Sequence, residues 1–234
     1  MKISGSTFLV TGGSAGIGKA AAKMLIEKGG KVAITGRNKK RLNETAKQIN
    51  AFPIQADVAK LKDVEKTYEI FLKEFSTLDC LINNAGIGGE WQDVWDLTLE
   101  DFQNVYSVNV FGAAMMAKFA SQLFKKQKYG NIVNIASTAA LRGFESGTVY
   151  ASSKFALRGM TECWRTELRK YNVRVILINP SEVITAFDQT GGKERQEVSN
   201  KLRGIEIAHT IVSALEMDDR GFIPEVTVWA TNPF

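Results

Sequence analysis

The sequence predicts an α/β fold, a doubly wound parallel sheet with helices on both faces, in a single domain covering residues 1–234. Three observations predict it. Apolar runs of about five residues alternate with helical stretches of about ten or more, the rhythm of strand–helix–strand units. Most of the short runs are continuously apolar rather than alternating, as strands covered on both faces are. No Pro/Gly/Ser-rich linker, charge block or internal repeat divides the chain, and 44% of its 234 residues are hydrophobic, enough for a sizeable core.

The elements follow in order. Thr7 to Val10 reads as the first strand and ends in Thr11-Gly12-Gly13. A helix is predicted over Gly18 to Lys28, where Ala21, Leu25 and Ile26 recur at helical spacing and Gly29-Gly30 stop it. Lys31 to Thr35 is the second strand, Arg41 to Asn50 a helix, and Phe52 to Gln55 the third strand. Val64 to Phe75 is helical because Val64, Tyr68 and Phe71 share a face. Leu78 to Ile82 is the fourth strand, and Leu99 to Phe124 reads as one long helix or two. Asn131 to Ile135 is a strand, Ser152 to Tyr171 a helix, and Val173 to Ile178 a strand ending at Pro180. Ile205 to Leu215 is the last helix and Glu225 to Trp229 the last strand.

Composition excludes several function classes. The net charge is +5, but the charges are interspersed and no aromatic residues interleave with the basic ones, which argues against nucleic acid as a partner. The densest basic run, Lys39-Lys40-Arg41, reads as a solvated helix start, with part of an anion site as the functional alternative. Cys80 and Cys163 are too few for a disulfide framework and are expected to be buried thiols in a reducing compartment. His209 is the only histidine, which excludes His-rich metal sites, and its amphipathic surroundings suggest a structural role. Met1-Lys2 leads at once into the first strand, too short a start for a signal or membrane span, so a cytoplasmic protein without membrane contact is expected.

In such sheets ligands bind beyond the carboxyl ends of the strands, so the residues after each strand are the informative ones. After the first come Gly12, Gly13, Ser14, Ala15, Gly16, Ile17 and Gly18, a glycine-rich turn entering a helix. Glycines let backbone approach closely, and a helix N-terminus offers N–H groups and a positive dipole end to a pyrophosphate. No Lys-Ser/Thr follows, so this is not a Walker A loop. After the second strand stands Arg37, and no acid. A carboxylate there would accept from a free ribose 2′-hydroxyl, whereas an arginine suits a 2′-phosphate, so NADP(H) is expected over NAD(H). Asp57 and Val58 follow the third strand; Asp57 either accepts from the adenine amino group or caps the next helix, or does both. Asn83-Asn84-Ala85-Gly86 follow the fourth, small and amide residues that let backbone lie against the cofactor's ribose.

Ser137 follows the fifth strand, and thirteen residues later come Tyr150 and Lys154, four apart and so on one helical face. Tyrosine titrates near ~10, and bringing it toward ~7 means stabilising the phenolate by about 4 kcal/mol. An adjacent ammonium has the right sign for that.

Together these residues resemble the classical short-chain dehydrogenase/reductase family over nearly the whole chain, from Lys2 to about Trp229. The resemblance implies a Rossmann-type domain and an oxidoreductase acting on CH–OH groups. It is similar to 3-oxoacyl-carrier-protein reductases and to reductases of hydroxy acids and small ketones. It implies Asn109, Ser137, Tyr150 and Lys154 as the catalytic set. Tyr150 would be general acid in reduction and base in oxidation, and Ser137 would hydrogen-bond the substrate carbonyl oxygen. Lys154 would lower the Tyr150 pKa and bind nicotinamide ribose hydroxyls, and Asn109 would hold a relay water. Val183 and Thr185 would meet the nicotinamide amide, and Pro180 would belong to the cofactor site. The sequence departs from the family pattern in three places. Ser181 replaces the glycine expected after Pro180 and is expected to narrow the cofactor approach. Ala15 stands where NADP-preferring members often carry a basic residue. The C-terminal end is short, making a homodimer more secure than a tetramer.

Substrate choice is expected to lie in Gly88 to Asp96, Leu141 to Gly147 and Ala186 to Gly204, the last a polar segment suited to a lid. Trp91, Trp95, Phe144 and Phe187 either line an apolar pocket or pack locally, and no cluster demands a charged substrate. Two other function classes share these residues: a cofactor-binding regulator or scaffold without turnover, and a non-redox enzyme of epimerisation or dehydration.

Overall fold

The structure is a computed structural model that describes all residues except 186, 188–195, 197 and 233–234. Seven strands form one parallel sheet: β1 (Thr7–Val10), β2 (Lys31–Gly36), β3 (Phe52–Gln55), β4 (Cys80–Asn83), β5 (Gly130–Ile135), β6 (Val173–Pro180) and β9 (Glu225–Val228). Their spatial order is β3-β2-β1-β4-β5-β6-β9. The chain therefore winds one way from β1 to β3 and the other way from β4 onward, which opens a crevice past the ends of β1 and β4. A separate pair, β7 (Val183–Ile184) and β8 (Leu202–Arg203), joins the chain on either side of the undescribed stretch.

The continuous apolar runs have the physical cause the sequence suggests. Along β1, Phe8 and Val10 pack into one core and Leu9 into the other. In β4, Cys80 and Ile82 face one side and Leu81 the other. The first core is closed by α1 (Gly16–Glu27), α2 (Lys39–Ile49) and α7 (Gly204–Glu216), through Leu25, Leu42 and Ile211 among others. The second is closed by α3 (Leu61–Phe75) and α5 (Ala113–Gln127), through Phe71 and Phe124, with Leu168 from α6 (Thr148–Leu168). Alternation exists in each strand, but both faces are apolar.

Three differences from the sequence reading bear on the site. The stretch left as one helix or two is α4 (Leu99–Tyr106), then a π-helical turn over Ser107–Gly112, then α5. α6 starts at Thr148 rather than Ser152, so Tyr150 belongs to its first turn. Cys80 is buried as expected, but Cys163 is exposed on α6. Its sequence neighbours point about 100° away around the helix, so they report nothing about its own burial.

Candidate active site

The site is assembled from loops at the carboxyl ends of six strands, β1 to β6, and two of those loops are stapled together. Thr11, buried after β1, accepts hydrogen bonds at Oγ1 from the backbone N–H groups of Asn84 and Ala85, both at 3.0 Å. In return the Asn84 amide donates from Nδ2 to the carbonyls of Thr11 at 2.9 Å and Gly12 at 3.2 Å. Gly12 has φ +65°, and a Cβ there would lie 3.0 Å from the Ala85 Cα, so only glycine allows the close approach. The N-cap residue of α1 is Ala15, whose side chain supplies no cap, so the first turn is not satisfied from that position.

At the end of β2, Asn38 caps α2 by accepting from the Arg41 N–H at 3.0 Å. This cap turns the helix start so that Arg37 and Arg41 both line the same end of one cleft. Arg41 belongs to the basic run that reads in the sequence either as a solvated helix start or as part of an anion site, and its place in the cleft lining favours the second. Its signal was its place four residues after Arg37, on the first turn of a helix aimed at the cleft. Arg41 also supplies the second cation that Ala15 does not. Asp57 lines the cleft beside them; its Oδ1 accepts from the Ala59 N–H at 3.1 Å, while the N-cap of α3 is Lys60. Asp57 thus closes a turn before the helix and does not cap it.

At the other end, Ser137 accepts at Oγ from the Ala139 N–H at 3.1 Å, which keeps the hydroxyl hydrogen available to a ligand. Tyr150 and Lys154 share one face of α6, with Nζ 5.7 Å from the centre of the Tyr150 ring. Lys154 is 4% exposed, and Nζ donates to the Ile135 carbonyl at 3.1 Å. Burial pulls its pKa down to about 8, because taking the ammonium out of water disfavours the charged form. Asn109 sits in the π-helical turn, a deviation common at functional sites. Its Nδ2 donates to the Ile87 carbonyl at 2.9 Å and to Ser153 Oγ at 3.0 Å, and its Oδ1 accepts from the Ile87 N–H at 2.9 Å. Both amide hydrogens are spent, and one lone pair of Oδ1 is left for a further donor.

One cleft of about 880 Å³ joins the two ends. It is lined by Gly12, Ser14, Ala15, Gly16 and Ile17, by Arg37, Asp57 and Val58, and by Asn84, Ala85 and Gly86. Ser137, Tyr150, Lys154, Pro180, Val183 and Thr185 line it as well. Gly18 and Asn109 stand behind the lining: Gly18 backs Asn84, and Asn109 braces Ile87. Ser181 lines the cleft without taking a positive φ, and its N–H is tied to the Val228 carbonyl at 2.8 Å, so the backbone there does not require glycine.

Among the four aromatic residues considered for an apolar pocket, Trp91, Phe144 and Phe187 line the cleft around Tyr150. The Trp91 ring lies 5.6 Å from that of Tyr150, and the Phe187 ring 5.8 Å. Trp95 is 78% exposed and lies outside the lining, so it is not part of this wall. Its local sequence resembles that of Trp91, but the loop turns between them, where the Gln92 N–H is held by the Ser146 carbonyl. The expected lid between Ala186 and Gly204 falls largely on residues 186, 188–195 and 197, which lie outside the described residues. His209 lies exposed on α7, away from the cleft.

The short chain dehydrogenase family model matches residues 6–196. The chain is 29% identical over 245 residues to an NADP-dependent 3-hydroxy acid dehydrogenase of Schizosaccharomyces pombe, covering 99% of this chain and 95% of that one. Among solved structures, an alcohol dehydrogenase from the archaeon Thermococcus sibiricus complexed with 5-hydroxy-NADP superposes with a TM-score of 0.89 at 26% identity, covering 97% of each chain. A 3-ketoacyl-(acyl-carrier-protein) reductase from Brucella melitensis complexed with NADH gives 0.90 at 26% identity, covering 99% of this chain and 100% of that one.

Proposed function

This chain belongs to the short chain dehydrogenase family, an oxidoreductase of hydroxyl and carbonyl groups, and from that premise we propose that it is an NADP(H)-dependent carbonyl reductase. Its substrates are a 3-oxoacyl thioester, a small ketone or a hydroxy acid. The observation that carries the reading is the single cleft that holds Arg37 and Arg41 at one end and Ser137, Tyr150 and Lys154 at the other.

The residues fit a phosphorylated dinucleotide. Arg37 and Arg41 would hold a 2′-phosphate, as two cations suit a dianion better than one. Asp57 and Val58 would flank the adenine, the first turn of α1 would receive the pyrophosphate, and Lys154 the nicotinamide ribose. Pro180, Val183 and Thr185 would form the wall at the nicotinamide amide. The bound reduced nicotinamide supplies the hydride.

The chain's own groups do the rest. Ser137 donates its hydroxyl hydrogen to the substrate carbonyl oxygen and stabilises the charge that grows there. Tyr150 gives its phenolic proton to the same oxygen, and the product is a secondary alcohol. Lys154 in its charged form favours the phenolate that remains. Asn109 fixes the Ile87 backbone and offers its remaining lone pair toward a water that returns the proton.

The whole chain acts as one cofactor-binding unit, in the cytoplasm and as a homo-oligomer, dimer or tetramer. Among the described residues no helix is long and apolar enough to cross a membrane. The function is tested by following oxidation of NADPH and of NADH against a panel of 3-oxoacyl thioesters, small ketones and β-keto acids. Turnover with NADPH favoured is expected; binding of neither dinucleotide would overturn the reading.

A further inference from the structure

The substrate end of the cleft holds a cation that the hydride chemistry leaves unused. Six side chains in the lining are charged at neutral pH: Arg37, Arg41, Asp57, Arg142, Lys154 and Glu182. The first three stand at the β2–β3 end, and Lys154 is buried under Tyr150. Glu182 is already paired with Lys201 at 2.7 Å. Arg142 lies between Ser137 and Tyr150 in sequence, on the segment entering α6, and it lines the same cleft as Tyr150, Trp91, Phe144 and Phe187.

The way Arg142 is held matters more than its charge. Its guanidinium lies 5.7 Å from the centre of the Trp229 ring, a residue just past β9. A cation–π contact of this kind uses the ring's face and none of the ring's atoms as hydrogen-bond acceptors, so it does not spend the guanidinium N–H donors. Among the described residues no carboxylate lies within ion-pairing distance of it. Glu145, in the same segment, is exposed and does not line the cleft. A planar fork of donors held at the rim of an aromatic pocket suits a planar anion attached to an apolar chain.

We infer that Arg142 binds the carboxylate of an oxo acid substrate, or of the hydroxy acid on the reverse path, so that the substrate class is a free carboxylic acid rather than a neutral ketone or thioester. The inference rests on the carbonyl-reductase reading and adds the ligand that fixes substrate orientation. Trp229 acts as a positioning residue that holds the guanidinium.

The test compares a short 3-oxo acid with its methyl ester as substrates for the NADPH complex. It also compares binding of the matching 3-hydroxy acid and its ester to the NADP+ complex by calorimetry. A charge-assisted pair predicts a kcat/KM ratio of acid to ester of about 10 to 100 in the wild type. In Arg142→Met the ratio is expected to collapse to about one, and in Trp229→Leu to fall about two- to fivefold. Ester turned over as well as acid, or a ratio retained in Arg142→Met, would overturn the inference and leave the reductase reading intact. No NADPH oxidation with any carbonyl would overturn that reading instead, and the calorimetric comparison would still judge Arg142: hydroxy acid bound no tighter than its ester rejects it.

Discussion

Gly18→Ala sets two effects of opposite sign against each other in the cofactor loop. Gly18 lies within α1, where alanine would ordinarily stabilise the helix by about 1 kcal/mol. Here a Cβ would stand 2.5 Å from Asn84 Nδ2, 2.6 Å from the Gly12 carbonyl oxygen and 3.0 Å from the Gly13 Cα. Two of these atoms are backbone, and Asn84 Nδ2 is held by two carbonyls, so the collision is not relieved by turning a free side chain. Overpacking costs about 1 to 3 kcal/mol, and losing the two Asn84 bonds costs about 1 kcal/mol each. The steric cost therefore exceeds the helical gain, for a net loss of about 2 to 4 kcal/mol. The same displacement moves Gly12 and Asn84 at the cleft, so Kd for NADPH is expected to rise by at least about tenfold, or about 1.4 kcal/mol. Gly159→Ala is the control. Gly159 lies in α6, and a Cβ there meets nothing within 4 Å. It should gain about 1 kcal/mol. Urea unfolding with fluorescence titration of NADPH measures both. Gly18→Ala as stabilised as Gly159→Ala, with cofactor affinity intact, would refute the reasoning.

Three further outcomes are expected. Arg37→Ala removes charge-assisted hydrogen bonds, which should raise Kd for NADPH by about ten- to a hundredfold while Kd for NADH shifts by less than about threefold; equal changes for both, by titration, would reject the 2′-phosphate assignment. Thr11→Val leaves the Asn84 and Ala85 N–H groups without their acceptor, and the midpoint of urea unfolding should fall by the equivalent of about 2 to 4 kcal/mol. For Lys154, the folded protein disfavours the charged form, so the unfolded chain binds more protons between pH 8 and the ordinary lysine value. Cofactor-free wild type should accordingly gain stability as pH rises through that window, by up to about 3 kcal/mol relative to Lys154→Met; a difference between the two proteins that does not change with pH would show that the ammonium is not buried at a cost.

The fold was legible because both faces of the sheet are covered: runs such as Phe8-Leu9-Val10 have apolar residues of either parity, and few other architectures demand that. The residues of the candidate site were legible where one loop gathers them, as at Gly12–Gly18, or where two share a helix face, as Tyr150 and Lys154 do, and these line one cleft or, for Gly18, back it. What escaped depended on contacts across the fold. The π-helical turn that carries Asn109 has no residue signature of its own, and the side chain is positioned by Ile87 and Ser153. For Arg41 the sequence left two readings of its basic run open, a solvated helix start or part of an anion site, and only the start of α2, capped by Asn38, brings it to the cleft lining. Trp91 and Trp95 look equivalent as letters, and only the path of the loop separates a cleft wall from an exposed ring. Arg142 gave no charge cluster to notice, since its partner Trp229 comes from the far end of the chain.

The central claim, that Tyr150 is the acid of a hydride-transfer enzyme, is tested most directly by Tyr150→Phe. NADPH oxidation would be followed on the carbonyl panel beside a parallel measurement of NADPH affinity. The account predicts that kcat falls by about 10²- to 10⁴-fold, the share of a positioned general acid, while Kd for NADPH moves only a few fold. Turnover that persists in the variant at near the wild-type rate, with NADPH bound as before, would contradict it.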